Sequence, residues 1–193
     1  MRKLIYLSHT RLDIIYIVSV INSFMHDPRQ RLLKAVKKIL HYLKTSSSKG
    51  LLFRREGSLS LEIYTDADYA GSITNRRSTS KAEFRAMTHG IYEGQWMKII
   101  FDDLKVKYEG RMKLFCDNNS AINVVYNPVQ YDRIKYIEID KHFIKEKLDY
   151  DFIVTAHIST GFQVADVFTK GLPSARFQDL IGKLGMIDIY ILI

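Results

Sequence analysis

The residues LSLEIYTD, positions 59–66, decide the fold class of this chain. Leu59, Leu61 and Ile63 alternate with more polar side chains, which is the period-two pattern of a half-buried β-strand. Two further short strands are predicted, over residues 112–116 and 152–158. Because helical patterns separate the three strands, we expect an α/β fold whose small sheet has parallel pairs and is flanked by helices.

The helical patterns also suggest how the chain is divided. Helices are predicted over residues 13–25, 28–43, 81–104, 120–126 and 137–148, with shorter ones at 164–171 and 177–184. Asp13 is expected to cap the first helix, and the third carries Phe84, Met87 and Ile91 on one face. The predicted apolar stripe of the second helix consists of Leu33, Val36, Leu40 and Leu43. Residues 68–80 are predicted as a turn or loop. The run TSSSKG, residues 45–50, has the composition of a linker. We therefore predict a small helical segment over residues 1–48, followed by an α/β domain over residues 49–193.

The chain is basic, with 29 Lys and Arg against 21 Asp and Glu, a net charge of +8 and a pI of about 9.4. Such a balance favours polyanionic partners, because phosphate binding releases counterions. The helix at 28–43 carries many of the cations, and its polar face is either simply solvated or a phosphate-contacting surface. The candidate nucleic-acid-binding residues are Arg29, Lys34, Lys37, Lys38, Arg76, Arg77, Arg133 and Lys135.

The chain has a single cysteine, Cys116, so an intramolecular disulfide is excluded. Its first residues are not followed by the apolar segment and cleavage site of a signal peptide. The most apolar early stretch, residues 14–21, is too short to span a bilayer. We therefore expect an intracellular protein without a membrane partner, in either the cytoplasm or the nucleus.

Four acidic residues stand where a metal site would need them. Asp66 and Asp117 follow predicted strands, and Glu83 and Asp166 lie near the starts of predicted helices. The carboxyl ends of parallel strands meet at one edge of a sheet, so neighbouring strands would bring Asp66 and Asp117 together. Clustered carboxylates suit Mg²⁺ or Mn²⁺, and two such ions can promote phosphodiester hydrolysis. The alternative is that these acids are helix caps or solvated turn residues.

A series of motifs in a fixed order is more specific than this spacing. Near the N-terminus stand YLSHTR (6–11) and FMH (24–26). They are followed by YTDADYAG (64–71), RRSTS (76–80), KAEFRAM (81–87), CDNNSAI (116–122), NPV (127–129), IEIDKHFI (137–144), QVADVFTK (163–170) and KLGMIDIY (183–190). Together these motifs resemble the C-terminal end of the Pol polyprotein of copia-type retrotransposons, where an RNase H domain follows the end of the reverse transcriptase.

The resemblance implies an RNase H-like fold and hydrolysis of the RNA strand of RNA–DNA hybrids. By motif, Asp66, Glu83, Asp117 and Asp166 would hold two Mg²⁺ or Mn²⁺ ions, and the hybrid would be the partner. The polymerase palm is absent, so the chain is not expected to act as a polymerase. Two alternatives stay open: a catalytically inactive remnant that at most binds nucleic acid, and a gene fragment that does not fold stably.

The chain also departs from the family pattern. Two antiparallel strands that the family places between Ser80 and Lys81 are missing, which is expected to leave the strand before Asp66 at a sheet edge with unpaired backbone groups. Around Arg133 and Lys135, the family's two histidines and a threonine are replaced by Tyr131, Ile134 and Tyr136. Trp96 is expected in the core rather than as a base-stacking platform.

Overall fold

A computed structural model describes residues 1–27, 30–51, 60–67, 76–108, 110–126 and 135–189, with only the backbone described for 76–81 and 135–138. Eight α-helices and five strands lie in these ranges. The helices are α1 (Arg2–Ser8), α2 (Ile15–Ser23), α3 (Gln30–Thr45), α4 (Arg76–Asp103), α5 (Asn119–Tyr126), α6 (Lys135–Asp149), α7 (Asp166–Thr169) and α8 (Ser174–Lys183). The strands are β1 (Lys49–Leu51), β2 (Glu62–Thr65), β3 (Met112–Cys116), β4 (Ile153–His157) and β5 (Met186–Asp188).

The chain folds into two compact units. The first comprises Met1–Arg55 and Asp166–Ile193, and the second comprises Glu56–Ala165. The predicted domains, 1–48 and 49–193, divide the chain differently and stay a prediction. No described helix is both long enough and apolar enough to cross a membrane.

The second unit is built on a three-stranded sheet in the order β2-β3-β4, and both strand pairs are parallel. The predicted α/β class with a small parallel sheet is therefore confirmed. In β3, Met112, Leu114 and Cys116 are buried while Lys113 between them is exposed. These side chains lie in one apolar cluster with residues of α4, α5 and α6, such as Ile144. The helices thus cover the face of the sheet that carries Leu114.

Helix α4 lies close to the sheet because two glycines face the strands. A Cβ added at Gly90 would meet Ile63 Cγ2 at 2.8 Å, and one added at Gly94 would meet Ile63 Cδ1 at 2.8 Å. Phe84, Met87 and Ile91, which were predicted to share one helix face, are all buried. The helix begins at Arg76 rather than at Lys81, so residues predicted as a loop extend it towards the N-terminus.

In the first unit, α1, α2 and α3 form one apolar cluster, and β1 pairs antiparallel with β5. The sequence did not predict α1. It also predicted an apolar stripe of α3 that includes Leu33 and Leu40, which are 56% and 52% exposed. The buried side of α3 is centred on Ile39, and the predicted Val36 and Leu43 pack against the same cluster. The stripe is therefore broader than predicted, and Leu33 and Leu40 lie at its outer margin.

A buried ion pair links the start of α2 to α3. Arg11 donates from Nε and Nη2 to the two carboxylate oxygens of Asp13, at 3.0 and 2.7 Å. The Tyr42 hydroxyl also donates to Asp13, and Arg11 donates to Ser46 Oγ at 2.8 Å. The pattern suggested Asp13 as a helix cap, and this was wrong, because the carboxylate is used by the ion pair and no side-chain cap bond forms.

Candidate metal centre

The sheet register brings two of the predicted site residues to one edge. Thr65 of β2 pairs with Cys116 of β3, so Asp66 and Asp117 are the next residues along two parallel neighbouring strands. Adjacent strands lie about 4.8 Å apart, which places the two backbones side by side where the strands end. Both residues are half-buried. The two strands are thus neighbours, as a shared site for Asp66 and Asp117 requires, while the role of these residues as metal ligands stays a prediction.

Glu83 reaches the same edge from α4. It precedes Phe84 on the helix face that packs on the sheet, and it is only 7% exposed. A carboxylate oxygen of Glu83, Cys116 Sγ and a carboxylate oxygen of Asp117 all lie within 4.8 Å of one another. The structure therefore brings together two of the four predicted carboxylates, from elements remote in sequence, with a thiol beside them.

Cys116 was not predicted to take part in this cluster. Its thiol is buried and donates to Glu83 Oε2 over 3.8 Å. Burial, together with the nearby Glu83 and Asp117 carboxylates, raises the pKa of the thiol to about 12, against the lowering effect of a backbone hydrogen bond at Asn118. A sequence signal did exist, since the period-two pattern of β3 directs Cys116 to the same face as Leu114.

The donor set of this cluster fits a hard divalent cation. Two carboxylates supply oxygen ligands of the kind that Mg²⁺ and Mn²⁺ prefer, and a cation between them would relieve their mutual repulsion. The Cys116 thiol, whose pKa is raised by burial, donates a hydrogen bond to Glu83 Oε2 beside these oxygens.

Hydrogen bonds support the end of β2 beside Asp66. Thr65 is buried and its hydroxyl donates to the Phe115 carbonyl at 3.3 Å. The fully buried Gln163 donates from Nε2 to the Thr65 carbonyl at 3.0 Å and accepts from the Ala165 N–H at 3.3 Å. Among the strands that the structure describes, β2 stands at an edge of this sheet, as predicted. The side chain of Gln163, which the sequence analysis did not single out, satisfies a backbone carbonyl at that edge.

Asp166 is the first residue of α7 and belongs to the first compact unit. Its side chain is fully buried between two cations. Lys170 Nζ lies 2.6 Å from Oδ1, and Arg176 Nη2 donates to Oδ2. The carboxylate of this predicted ligand therefore forms ion pairs with two side chains of its own unit.

The predicted nucleic-acid-binding residues are described only in part. Lys34, Lys37 and Lys38 are exposed on α3, beside the exposed Lys44. The backbone of Arg76 and Arg77 starts α4, and that of Lys135 starts α6. Arg29 and Arg133 lie outside the described residues, as do Tyr131 and Ile134.

Trp96 was predicted in the core, and this was wrong, because 58% of the residue is exposed on α4. The pattern around it is ambiguous, since apolar residues surround Trp96 on every side of the helix from Ile91 to Phe101. The glycine face at Gly90 and Gly94 lies against the sheet, and the opposite face carries the tryptophan.

Sequence comparison places these features among known proteins. The chain is 33% identical over 207 aligned residues to the Retrovirus-related Pol polyprotein from transposon RE1 of Arabidopsis thaliana, covering 94% of the chain and 14% of the polyprotein. It is 31% identical to that from transposon RE2 of the same plant, covering 95% of the chain and 14% of the polyprotein. It is also 31% identical to that from transposon TNT 1-94 of Nicotiana tabacum, covering 90% of the chain and 15% of the polyprotein.

The chain thus spans about one seventh of the length of these relatives. No protein-family model matches it, and no solved structure matches it.

Proposed function

Because the chain belongs to the Pol polyproteins of copia-type retrotransposons, we propose that it carries an RNase H domain that hydrolyses the RNA strand of RNA–DNA hybrids. The observation that supports this most is the carboxylate pair Glu83 and Asp117 at the carboxyl edge of a parallel sheet. Asp66 follows the adjacent strand at that edge. Three of the four motif acids are thus supplied by elements of one unit.

Under this proposal Asp66, Glu83 and Asp117 would hold Mg²⁺ or Mn²⁺. The fourth predicted ligand, Asp166, is instead engaged in ion pairs with Lys170 and Arg176. Such ions, when bound, supply an activated water and stabilise the leaving oxygen in phosphodiester hydrolysis. The chain's own residues orient the ligands. The Cys116 thiol donates to one oxygen of Glu83, and the Gln163 amide holds the Thr65 carbonyl next to Asp66. Recognition of a hybrid would rest on backbone and 2′-OH contacts, for which a basic chain is suited.

The test uses the full chain, a hybrid with labelled RNA, and Mg²⁺. The proposal expects cleavage of the RNA strand that Asp117→Asn and Glu83→Gln each reduce by at least about 100-fold. Asp102→Asn is the matched control, because Asp102 is an exposed acid at the far end of α4. Mn²⁺ binding, followed by electron paramagnetic resonance, should weaken in the two site variants and not in the control.

A folded wild-type chain that binds Mn²⁺ at no higher affinity than Glu83→Gln, and cleaves no hybrid, would refute the nuclease. Folding is checked on the same sample by cooperative thermal unfolding. A chain without a cooperative transition would support the alternative of a fragment that does not fold stably.

A second candidate function is binding of nucleic acid without catalysis. The exposed Lys34, Lys37 and Lys38 on α3 favour it, because they offer phosphates several cations from one helix. This function predicts hybrid binding that weakens steeply with salt, together with no metal-dependent cleavage. Loss of binding in Lys34→Glu with Lys37→Glu would support it, and no binding even at low salt would exclude it.

A further inference from the structure

Six exposed residues follow one face of α4. They are Arg85, His89, Tyr92, Trp96, Ile99 and Asp103. Their spacing alternates between four and three residues, which keeps them in a single seam along the helix. Tyr92, Trp96 and Ile99 at the centre of this α4 seam are 53%, 58% and 58% exposed. An exposed apolar centre of this kind, bounded by charged ends, is typical of an interaction surface.

The α4 seam is symmetric in position and complementary in charge. Arg85 and His89 stand at its N-terminal end, and Asp103 stands at its C-terminal end. All six positions are arranged symmetrically about residue 94. In two antiparallel copies of α4 related by a two-fold axis beside Gly94, Arg85 of one copy would lie opposite Asp103 of the other. Tyr92 would lie opposite Trp96, and His89 opposite Ile99.

We propose that the α4 seam is a homodimer interface, formed by antiparallel packing of α4 against α4 of a second copy of this chain. A two-fold interface must be self-complementary, and both the spacing and the charges of the seam meet this condition. The alternation of four and three residues is that of coiled-coil packing, in which facing layers interlock when the helices are antiparallel. Aromatic residues at its centre are the type that contributes most binding energy in interfaces.

A nucleic acid fits the α4 seam less well. Asp103 ends the seam, and Glu93 and Asp102 are exposed beside it. These three carboxylates would repel phosphates along the C-terminal half of the helix face, where the apolar side chains lie. A second copy instead supplies Arg85 and His89 at that end.

The contact is small for a permanent dimer. Residues 85–103 span about 27 Å of helix, and such a strip buries less surface than stable dimers do. We therefore expect a dissociation constant on the order of tens of micromolar.

The experiment follows the full chain by sedimentation velocity over a concentration series. Trp96 is the only tryptophan, so its emission reports directly on the α4 seam. Dimer formation should shift the emission to shorter wavelength in step with the sedimentation change. Trp96→Ala should weaken dimerisation by about tenfold or more. Tyr150→Ala is the control, because Tyr150 is a still more exposed aromatic residue that lies off α4.

A charge-reversal set tests the antiparallel geometry. Arg85→Asp alone and Asp103→Arg alone should each weaken the dimer, because like charges then face each other. The double variant should regain at least part of the wild-type affinity, since both cross-pairs re-form with reversed polarity. Recovery in the double variant also shows that the single variants did not fail through misfolding.

Three results would overturn the proposal. The first is a chain that stays monomeric up to several times the expected dissociation constant. The second is a dimer that Trp96→Ala and the charge reversals leave unchanged. The third is quenching of Trp96 by a single-stranded oligonucleotide while the chain is monomeric, which would assign the α4 seam to nucleic acid.

Discussion

The two compact units place buried acidic side chains in contrasting surroundings. In the first unit, Asp13 is paired with Arg11, and Asp166 lies between Lys170 and Arg176. In the second unit, Glu83 shares its neighbourhood with a second carboxylate, that of Asp117, and with a neutral thiol. A carboxylate held by a cation from its own chain stabilises the fold around it, whereas two carboxylates in proximity repel and suit a ligand that carries positive charge.

The largest change in the free energy of unfolding is expected when one buried acid in each unit is neutralised. Asp13→Asn should destabilise the chain by about 3–5 kcal/mol, because it leaves Arg11 buried without its counter-charge. Glu83→Gln should change the free energy of unfolding by less than about 1 kcal/mol, or raise it, because repulsion from Asp117 is relieved. Urea unfolding of both variants measures the difference. Equal destabilisation would remove the distinction between a structural and a ligand-binding carboxylate.

The second-largest change in stability is expected from replacing a helix glycine by alanine in each unit. Gly90→Ala should destabilise by about 1–3 kcal/mol, because the new methyl group would stand 2.8 Å from Ile63 Cγ2 and 3.0 Å from Thr65 Cγ2. Gly182→Ala in α8 meets nothing within 4 Å. It should therefore stabilise by about 0.5 kcal/mol through helix propensity. Thermal unfolding should show shifts of opposite sign, and shifts of the same sign would show that α4 is less closely packed on β2 than described.

The smallest effect concerns the pH dependence of the ion pair in the first unit. Burial and the bond to Asp13 raise the pKa of Tyr42 from 10.0 to about 12, against the lowering effect of Arg11. A raised folded-state pKa of an acid means that its contribution is fully present below pH 10 and is lost as the pH rises towards 12. Tyr42→Phe should therefore lose less stability over this interval than the wild type does. Parallel slopes in urea unfolding at stepped alkaline pH would contradict this.

The sequence predicted the strands of the sheet well, because the pattern that marks a strand depends only on residues adjacent in the chain. Period-two alternation identified the strand that ends at Thr65, and a short apolar run identified the one that ends at Cys116. The helical pattern identified the buried α4 face of Phe84, Met87 and Ile91. The pattern was less reliable for helices on which apolar residues extend beyond the face that is buried. On α3 it favoured the exposed Leu33, and on α4 it placed the exposed Trp96 in the core. The pattern of apolar residues along a helix does not show which of its faces packs against another helix or a strand.

The residues of the candidate site also fall into two groups, those that the sequence motifs predicted and those that only the structure revealed. Motif order predicted Glu83 and Asp117 as ligands of one site, and the structure places these two acids close together although they are remote along the chain. It did not identify Cys116 or Gln163, because a thiol and an amide acquire their roles only from the oxygen atoms beside them. Those atoms belong to Glu83 and Thr65.

The amino-acid sequence by itself determined the membership of this chain in the retrotransposon Pol family, its α/β class, and the strand ends that carry Asp66 and Asp117. Only the tertiary structure decided that Glu83 lies within 4.8 Å of Asp117 and Cys116, and that Asp166 is enclosed by two cations. The physical reason is the range of each interaction. Strand alternation and helical periodicity depend on residues that are close in the sequence. The pairing of charges instead depends on which distant helices and strands the packed core brings into contact.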